Sequence, residues 1–222
     1  MTFAAAYEDP PRAWGVGRLV VDDVVTSWPV SQHDIDDEAE SQAPRLAALG
    51  VGAGDLVLIV SMLSQAIHVV PLEKAAGKLG ALYSSADATA ADAFRVAYLI
   101  RQLEPAAVVG VNRAVLDGLR ELGHDPSEVL GSAAGRVATA DAAAYDELGG
   151  RGLSPRRWVK LGPTSAWEEE PGTVTYDATR WEATDADGSI ALTNVAERLT
   201  PCERLPTGVR GQVPAPGTIT LA

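Results

Sequence analysis

The stretch DGSIALTNVAERLTPCERLPTGV, residues 187–209, decides the fold. It opens on an Asp-Gly turn, runs through an apolar segment that ends at Thr193-Asn194, and then carries Arg198 and Pro201 before closing on Thr-Gly-Val. Short runs of this kind, separated by Gly and Pro, are typical of strands in an antiparallel sheet. Comparable runs lie on both sides of it, so residues 158–222 are predicted to form a small, mainly antiparallel β subdomain.

Upstream of this stretch, buried-looking strands alternate with helical patterns. The predicted order is a strand at Leu56–Val60, a helix over 64–79, a strand at 81–83, a helix over 89–103, a strand at 106–109 and a helix over 112–122. Such alternation is typical of a parallel sheet covered by helices on both faces. The helix over 89–103 is expected to turn Phe94, Ala97, Tyr98 and Leu99 toward the core.

These patterns predict an α/β fold, with a parallel sheet flanked by helices and a small C-terminal β subdomain. The expected division is an extended or β segment over 1–30, an α/β core over 31–157 and the β subdomain over 158–222, with the last two forming one compact unit. Residues 19–30 are expected to form β structure with a turn near Asp22-Asp23. Ser31 and Asp34 have the spacing of a capping box, which predicts that a helix begins there.

The composition argues against several classes of function. Asp plus Glu outnumber Lys plus Arg by 30 to 18, a net charge of −12 that repels phosphate backbones and anionic lipids. We therefore expect no nucleic-acid partner and no membrane docking, and no apolar run approaches the ~20 residues that span a bilayer. Cys202 is the single cysteine, and the N-terminus lacks the pattern of a signal peptide, which together predict a reducing cytoplasm.

Several short motifs occur in an order that is more informative than any one of them. They are LGVGAGD (49–55), KLGA (78–81), EPAAVV (104–109), GHDP (123–126), GSAA (131–134), LGPTS (161–165) and the Thr-Asn, Arg, Pro and Thr-Gly positions of residues 187–209. In this order they resemble the large domain of the adenylate-forming enzymes, in particular the phenylacetate–CoA ligase branch. The resemblance covers about residues 28–210 and implies the same α/β architecture.

Three positions depart from the pattern of that family. Its glycine-rich phosphate loop lies upstream of the capping box, where this chain has Val24–Val30 with no glycine. Its magnesium-binding Glu falls on Ser165, and the Asp that holds the ribose of ATP falls on Val209. The small domain that supplies a catalytic lysine is not expected, because the chain ends at Ala222. The resemblance therefore implies a retained scaffold without ATP-dependent adenylation, and no cofactor is expected.

His68 is the leading candidate for a functional titratable side chain. It lies early in the helix after the first core strand, at the carboxyl end of the sheet, where ligands bind in α/β folds. Tyr83, Ser84 and Ser85 follow the second strand, so either serine could pair with His68 as nucleophile and base. A core or surface histidine and plain turn serines remain the alternative interpretation, and the chain has no Gly-x-Ser-x-Gly elbow.

Other candidates concern ligand binding and metal binding. Ser132 matches the family segment beside the adenine, and Thr164 lies in the motif that in the family ends with the magnesium-binding Glu. Trp28 and Trp167 could wall an aromatic pocket, although tryptophans more often pack in cores or interfaces. His33 and the acids after it could suggest a metal, but capping and the helix dipole explain those acids, so no metal site is predicted.

Two classes of function follow. The first is a non-adenylating protein of a bacterial biosynthetic pathway. It would bind a small acyl or aryl ligand, a thioester or another protein of the pathway, and it would form a homodimer. The second is a repurposed enzyme that uses the acyl or aryl pocket without ATP, for acyl transfer, cyclisation or hydrolysis. The bacterial origin is inferred from the abundance of Ala, Gly, Val and Arg over Lys.

Overall fold

The computed structural model describes residues 13–21, 23–133 and 136–222, and predictions for residues 1–12, Asp22 and Ala134 lie outside them. The strands are β1 Gly15–Val21, β2 Val24–Val30, β3 Leu56–Val60, β4 Leu82–Ala86, β5 Ala107–Val111, β6 Val137–Thr139, β7 Arg156–Leu161, β8 Thr164–Glu170, β9 Thr173–Thr175, β10 Trp181–Ala186, β11 Ser189–Asn194, β12 Leu205–Ala215 and β13 Thr218–Leu221. The helices are α1 Gln32–Ala48, α2 Ala66–Lys78, α3 Ala93–Leu103, α4 Arg113–Glu121, α5 Pro126–Gly131 and α6 Ala142–Gly150.

The chain folds into two compact units. The α/β unit comprises Gln42–Leu63 and Leu72–Trp158. The β unit comprises the described part of Met1–Ser41 together with Ser64–Pro71 and Val159–Ala222. The three-part division drawn from the sequence stays a prediction.

The α/β unit is built on a parallel sheet in the order β7-β6-β5-β3-β4. The sequence of β3, LVLIV, suits this position because Val57 and Leu58 point to opposite faces and both are fully buried. Leu58 belongs to an apolar core shared with α3, α4, α5 and α6. Other members of that core are Val60, Val96, Ile100, Val108, Leu116, Leu119, Leu130 and Leu148.

The β unit is built on antiparallel strands in the order β10-β11-β12-β13-β9-β8, with a separate β1–β2 hairpin. Its core contains Trp181, Ile190, Leu192 and Ile219, all fully buried. The predicted fold class is therefore confirmed: α/β, with parallel strands flanked by helices and antiparallel strands near the C-terminus. No described helix combines the length and the hydropathy needed to cross a membrane.

The start of α1 follows the predicted capping box. The Asp34 amide donates to Ser31 Oγ at 3.0 Å, and the Ser31 amide donates to Asp34 Oδ2 at 2.7 Å. Two N–H groups that a helix start leaves without partners are thus satisfied reciprocally. The helix runs through Pro44 and ends at Ala48, and Gly50 then adopts a left-handed conformation with a φ of +79°.

The predicted core face of α3 is partly wrong. Ala97 is fully buried and Leu99 packs against the core, but the side chains of Phe94 and Tyr98 are 55% and 56% exposed. The buried stripe consists of Ala93, Val96, Ala97 and Ile100, which have the i, i+3, i+4, i+7 spacing of a helix face. Phe94 and Tyr98 form a second stripe, one turn apart, on the exposed flank.

Helix α5 is an element that the sequence patterns did not predict. Asp125 caps it by accepting from the Ser127 amide at 2.8 Å, and Pro126 occupies its first turn, where a missing N–H costs nothing. Asp125 and Pro126 thus form a helix-start signal in the sequence, but the helix that follows is only six residues long and has too few residues to show a periodic pattern.

Candidate functional site

A cavity of about 290 Å³ lies within the β unit, beside the first turn of α2. We call it the His68 cavity. Its walls are residues 18–21 of β1, Ser64, Gln65, His68, Lys160, Gly162 and Thr207. Its volume is near the lower end of the ~300–1,000 Å³ typical of small-molecule sites.

His68 is a buried, neutral member of this cavity. Its side chain is 5% exposed, and its Nε2 lies 2.8 Å from the carbonyl oxygen of Gly162, to which it donates. Burial lowers the pKa of His68 to about 4; the bond to Gly162 opposes this shift and the positive charge of Lys160 adds to it. The imidazole is therefore uncharged at neutral pH.

Two cations line the His68 cavity, and no carboxylate is found among its described lining residues. Lys160, next to Leu161 at the end of β7, donates from Nζ to Gln65 Oε1 at 2.5 Å. Arg18 lies on the exposed face of β1 and has no ion-pair partner among the described residues. Because the whole chain carries a net charge of −12, this acid-free lining is a local reversal of its charge.

The β1–β2 hairpin occupies the place where the sequence resemblance expects a phosphate loop. β2 pairs with β1 along its whole length, from Val24↔Val21 to Val30↔Gly15. Successive N–H groups of an extended strand point in alternate directions, so β2 presents no array of convergent N–H groups with which to hold a triphosphate. At Gly17 a Cβ atom would lie 2.0 Å from Ile67 Cγ2, so glycine is what lets the hairpin approach α2 this closely.

A buried ionic cluster ties α1 to the antiparallel strands inside the same unit. Glu38, 4% exposed, accepts from Thr164 Oγ1 at 2.6 Å, from Trp181 Nε1 at 2.9 Å and from Arg198 Nη2 at 2.5 Å. The Arg198 guanidinium also stacks over the Trp181 ring, 4.4 Å from its centroid, and lies 4.0 Å from Asp34 Oδ1. The cluster satisfies a buried carboxylate with three donors, which is what such a group requires.

The structure distributes the predicted site residues over both units. His68 lines the cavity of the β unit, whereas Tyr83, Ser84 and Ser85 all lie in β4 of the α/β unit. Tyr83 and Ser85 are exposed and Ser84 is half-buried. The pairing of His68 with either serine therefore stays a prediction.

The remaining predicted ligand-binding residues have local partners. Trp28 packs in an apolar cluster of the β unit, and Trp167 is buried in β8. Thr164 is buried, and its hydroxyl donates to Glu38. Ser132, in the α/β unit, donates from its hydroxyl to the carbonyl oxygen of Val129 at 2.6 Å. Their roles toward a ligand stay predictions.

Arg18, Ser64, Gln65 and Lys160 line the cavity but were not among the residues selected from the sequence. They come from three separate segments, and no local motif links them. The one signal was indirect: Lys160 directly precedes the LGPTS motif, and Ser64 and Gln65 directly precede α2. Among the described residues no group of three or more His, Cys, Asp or Glu side chains is placed to hold a metal ion.

Solved structures with the same fold identify the architecture. A crystal structure of 2-hydroxyisobutyryl-CoA ligase, in an open conformation with 2-HIB-AMP and CoA, superposes with a TM-score of 0.71 at 16% identity over 95% of this chain and 56% of its own. The chain has the fold of the adenylate-forming acyl-CoA and aryl-CoA ligases. The predicted resemblance is thereby confirmed at the level of the fold, and no family model and no curated protein matches the sequence.

Two further structures extend the match to this ligase fold. A putative long-chain-fatty-acid CoA ligase from Rhodopseudomonas palustris gives a TM-score of 0.62 at 13% identity over 93% of this chain and 58% of its own. The o-succinylbenzoate CoA synthetase of Bacillus subtilis, bound to a product analogue, gives 0.62 at 14% identity over 96% and 49%. The chain thus spans about half the length of the ligase-fold structures that it matches.

Proposed function

We propose that this protein binds a small acyl or aryl ligand in the His68 cavity without activating it by adenylation. The observation that carries the proposal is the cavity itself, whose described lining includes Arg18 and Lys160 and no acidic residue. A guanidinium and an ammonium both favour an anionic group, and Arg presents paired donors to a carboxylate. The ligand we infer is a small carboxylate with an apolar body, or a thioester of such an acid.

Three features support a role without ATP. Val24–Val30 is a fully paired strand, Ser165 is 3% exposed within β8, and Val209 packs partly buried against the apolar core of the β unit. A phosphate loop needs amides that converge on one point, magnesium prefers a carboxylate, and a ribose needs a polar partner. The proposed setting is a homodimer in the cytoplasm of a bacterium, serving a biosynthetic pathway, in line with the composition and the single cysteine.

Thermal shift with phenylacetate as the probe tests the ligand site. Saturable stabilisation is expected, because a ligand that binds only the folded state raises its unfolding temperature. Phenylacetamide, which has the same shape without the charge, is expected to stabilise the protein much less. Lys160→Met should reduce the difference between the two probes and Arg18→Met/Lys160→Met should abolish it, whereas Arg204→Met, a positive residue outside the lining of this cavity, should preserve it.

ATP with magnesium provides the opposing test. We expect no saturable shift with ATP and magnesium, alone or with phenylacetate. A clear saturable stabilisation by the nucleotide would overturn the claim that adenylation is lost. Equal stabilisation by phenylacetate and phenylacetamide would overturn the claim that the ligand is anionic.

A repurposed, ATP-independent enzyme is the second candidate, and one observation favours it. Ser64 lines the same cavity as His68 and precedes it by four residues, and the neutral imidazole is in the protonation state that a general base requires. Release of thiol from phenylacetyl-CoA would reveal hydrolysis. Loss of that activity in Ser64→Ala and in His68→Gln would assign the nucleophile to Ser64 and the base to His68. Loss in Ser84→Ala instead would assign the nucleophile to Ser84.

A further inference from the structure

β4 is the edge strand of the parallel sheet, and one side of its backbone pairs with no strand of the described residues. The Leu82 amide donates to the Asp55 carbonyl oxygen at 2.8 Å, and the Ala86 carbonyl accepts from the Ser61 amide at 3.0 Å. N–H and C=O groups of one strand residue point the same way and alternate along the strand. Residues 82, 84 and 86 therefore face β3, and the N–H and C=O groups of Tyr83 and Ser85 point away from the sheet.

The side chains around this edge are apolar or small. Leu82 is 64% exposed and Tyr83 is 49% exposed. On the adjoining helix α3, Phe94 and Tyr98 form the exposed stripe described above. Ala86 of β4 shares an apolar core with α3, and exposed large apolar side chains on an edge strand and on a helix of the same unit are typical of surfaces that become covered.

The two edge strands β4 and β10 differ in charge. β4, LYSSA, contains no charged residue, whereas β10, the edge strand of the antiparallel sheet, carries the exposed Glu182 and Asp185. Charged side chains on an edge strand prevent unwanted pairing, and β4 lacks them. In a chain with a net charge of −12, an uncharged strand lets two copies approach with less repulsion than an acidic one would, even though the exposed Asp87 directly follows β4.

We propose that β4 pairs antiparallel with β4 of a second copy of this chain, about a two-fold axis that passes beside Ser84. In that register Tyr83 of each copy lies opposite Ser85 of the other. Each outward N–H then donates to an outward C=O, which gives four hydrogen bonds and satisfies every outward group of these two residues. Leu82 of each copy lies opposite Ala86 of the other, so the apolar side chains at this edge also become covered.

A second copy fits better than an unrelated strand because the edge is self-complementary. A two-fold contact uses the same patch on both subunits, and here the donors and acceptors of residues 83 and 85 match under that symmetry. Five-residue strands with a few apolar neighbours form a small interface compared with the ~1,600 Å² of a standard one. The dimer is therefore expected to dissociate on dilution.

Analytical ultracentrifugation over a concentration series tests this surface. The wild-type chain should pass from monomer to dimer as its concentration rises. Ser85→Pro removes one outward N–H per copy and leaves the bonds to β3 intact, because proline is tolerated at the outer side of an edge strand. Loss of two donors per dimer should weaken association roughly tenfold or more. Ser85→Ala keeps the N–H and is the matched control, which should dimerise like wild type.

A second variant keeps the test decisive if Ser85→Pro does not fold. Leu82→Lys replaces the apolar side chain opposite Ala86 of the other copy by a charged one, so pairing would have to desolvate a charge; it should give a monomer with an unchanged far-UV circular dichroism spectrum. A dimer that persists in both folded variants, or that is lost equally in Ser85→Ala, would overturn the β4 interface.

The inference rests on the homodimer of the proposed function and on no part of its ligand site, so the two can fail separately. A wild-type chain that stays monomeric at all concentrations would overturn both this interface and the proposed homodimer. Phenylacetate binding by monomeric Leu82→Lys would show that the cavity functions without the dimer. A dimer that binds no phenylacetate would leave the β4 pairing intact and remove the proposed ligand.

Discussion

The cores of the two units are stabilised by different interactions. The core of the α/β unit is a continuous set of aliphatic side chains, represented by Leu116 and Ile100. The β unit also has an apolar core, but it buries the ionic cluster of Glu38 and Arg198 and the neutral imidazole of His68 as well. Apolar burial tolerates changes that conserve volume, whereas a buried charge depends on one geometry. The α/β unit should therefore respond to mutation by size and the β unit by charge and pH.

Removal of Glu38 is expected to have the largest effect. Glu38→Ala removes the nearest anion of the buried Arg198, leaving only the more distant Asp34, and should lower the free energy of unfolding by about 3–5 kcal/mol. Chemical denaturation of the variant measures the loss. The double variant Glu38→Leu/Arg198→Met replaces both charges by apolar groups and should recover much of it. A double variant that loses the sum of the two single losses would show that the pair is not coupled.

Leu116→Ala is the corresponding change in the aliphatic core. Leu116 is fully buried in α4, so truncation creates a cavity and should cost about 2–5 kcal/mol. The same denaturation experiment measures it. Leu116→Met, which nearly conserves volume, should cost less than about 1.5 kcal/mol. A large loss in Leu116→Met would contradict the view that size alone governs this core.

Acid should destabilise the β unit through His68. The pKa of His68 in the folded protein, about 4, lies below the value of 6.5 that is ordinary for an exposed histidine. Between these two pH values the unfolded chain therefore binds more protons than the folded one. The stabilisation is complete above pH 6.5 and should fall by about 3 kcal/mol as the pH drops to 4. Unfolding free energies of wild type and of His68→Gln, which keeps a donor toward Gly162, should diverge across this window. Parallel profiles would show that His68 does not cause the pH dependence.

The capping box of α1 should give the smallest effect of the series. Ser31→Ala removes the acceptor for the Asp34 amide and should cost about 1 kcal/mol. Ser31→Thr keeps a hydroxyl and should cost less. Asp34 also lies beside Arg198 of the ionic cluster. A cost well above about 1 kcal/mol would therefore indicate that the helix cap and the ionic cluster stabilise each other.

The sequence predicted the elements whose signals are local. Ser31 and Asp34 are three residues apart, so the capping box was readable without any tertiary information, and LVLIV marked β3 from its first residue to its last. The core face of α3 failed because the helix presents two stripes with helical spacing. The stripe of Phe94 and Tyr98 has the larger side chains, but the stripe of Ala93 and Ala97 faces the core.

The candidate site was harder to predict because it depends on distant contacts. His68 was selected for its position after a parallel strand, and it does line a cavity. Its partner Gly162 lies 94 residues away along the chain, and Lys160 reaches Gln65 across 95 residues. No periodicity or motif encodes such pairs. Glu38 likewise looked like one of several acids at a helix start, and only the fold reveals its three donors.

Under the proposed β4 pairing, the acids of β10 limit how far strand addition can proceed. If β10 were as neutral as β4, both of these edges would be open to pairing, and strand addition through them could continue from copy to copy into a fibre. Glu182 and Asp185 oppose pairing at β10, whereas pairing about a two-fold axis occupies the edge at β4. Growth through these two edges would then end at two chains, so the acidity of β10 would act against aggregation.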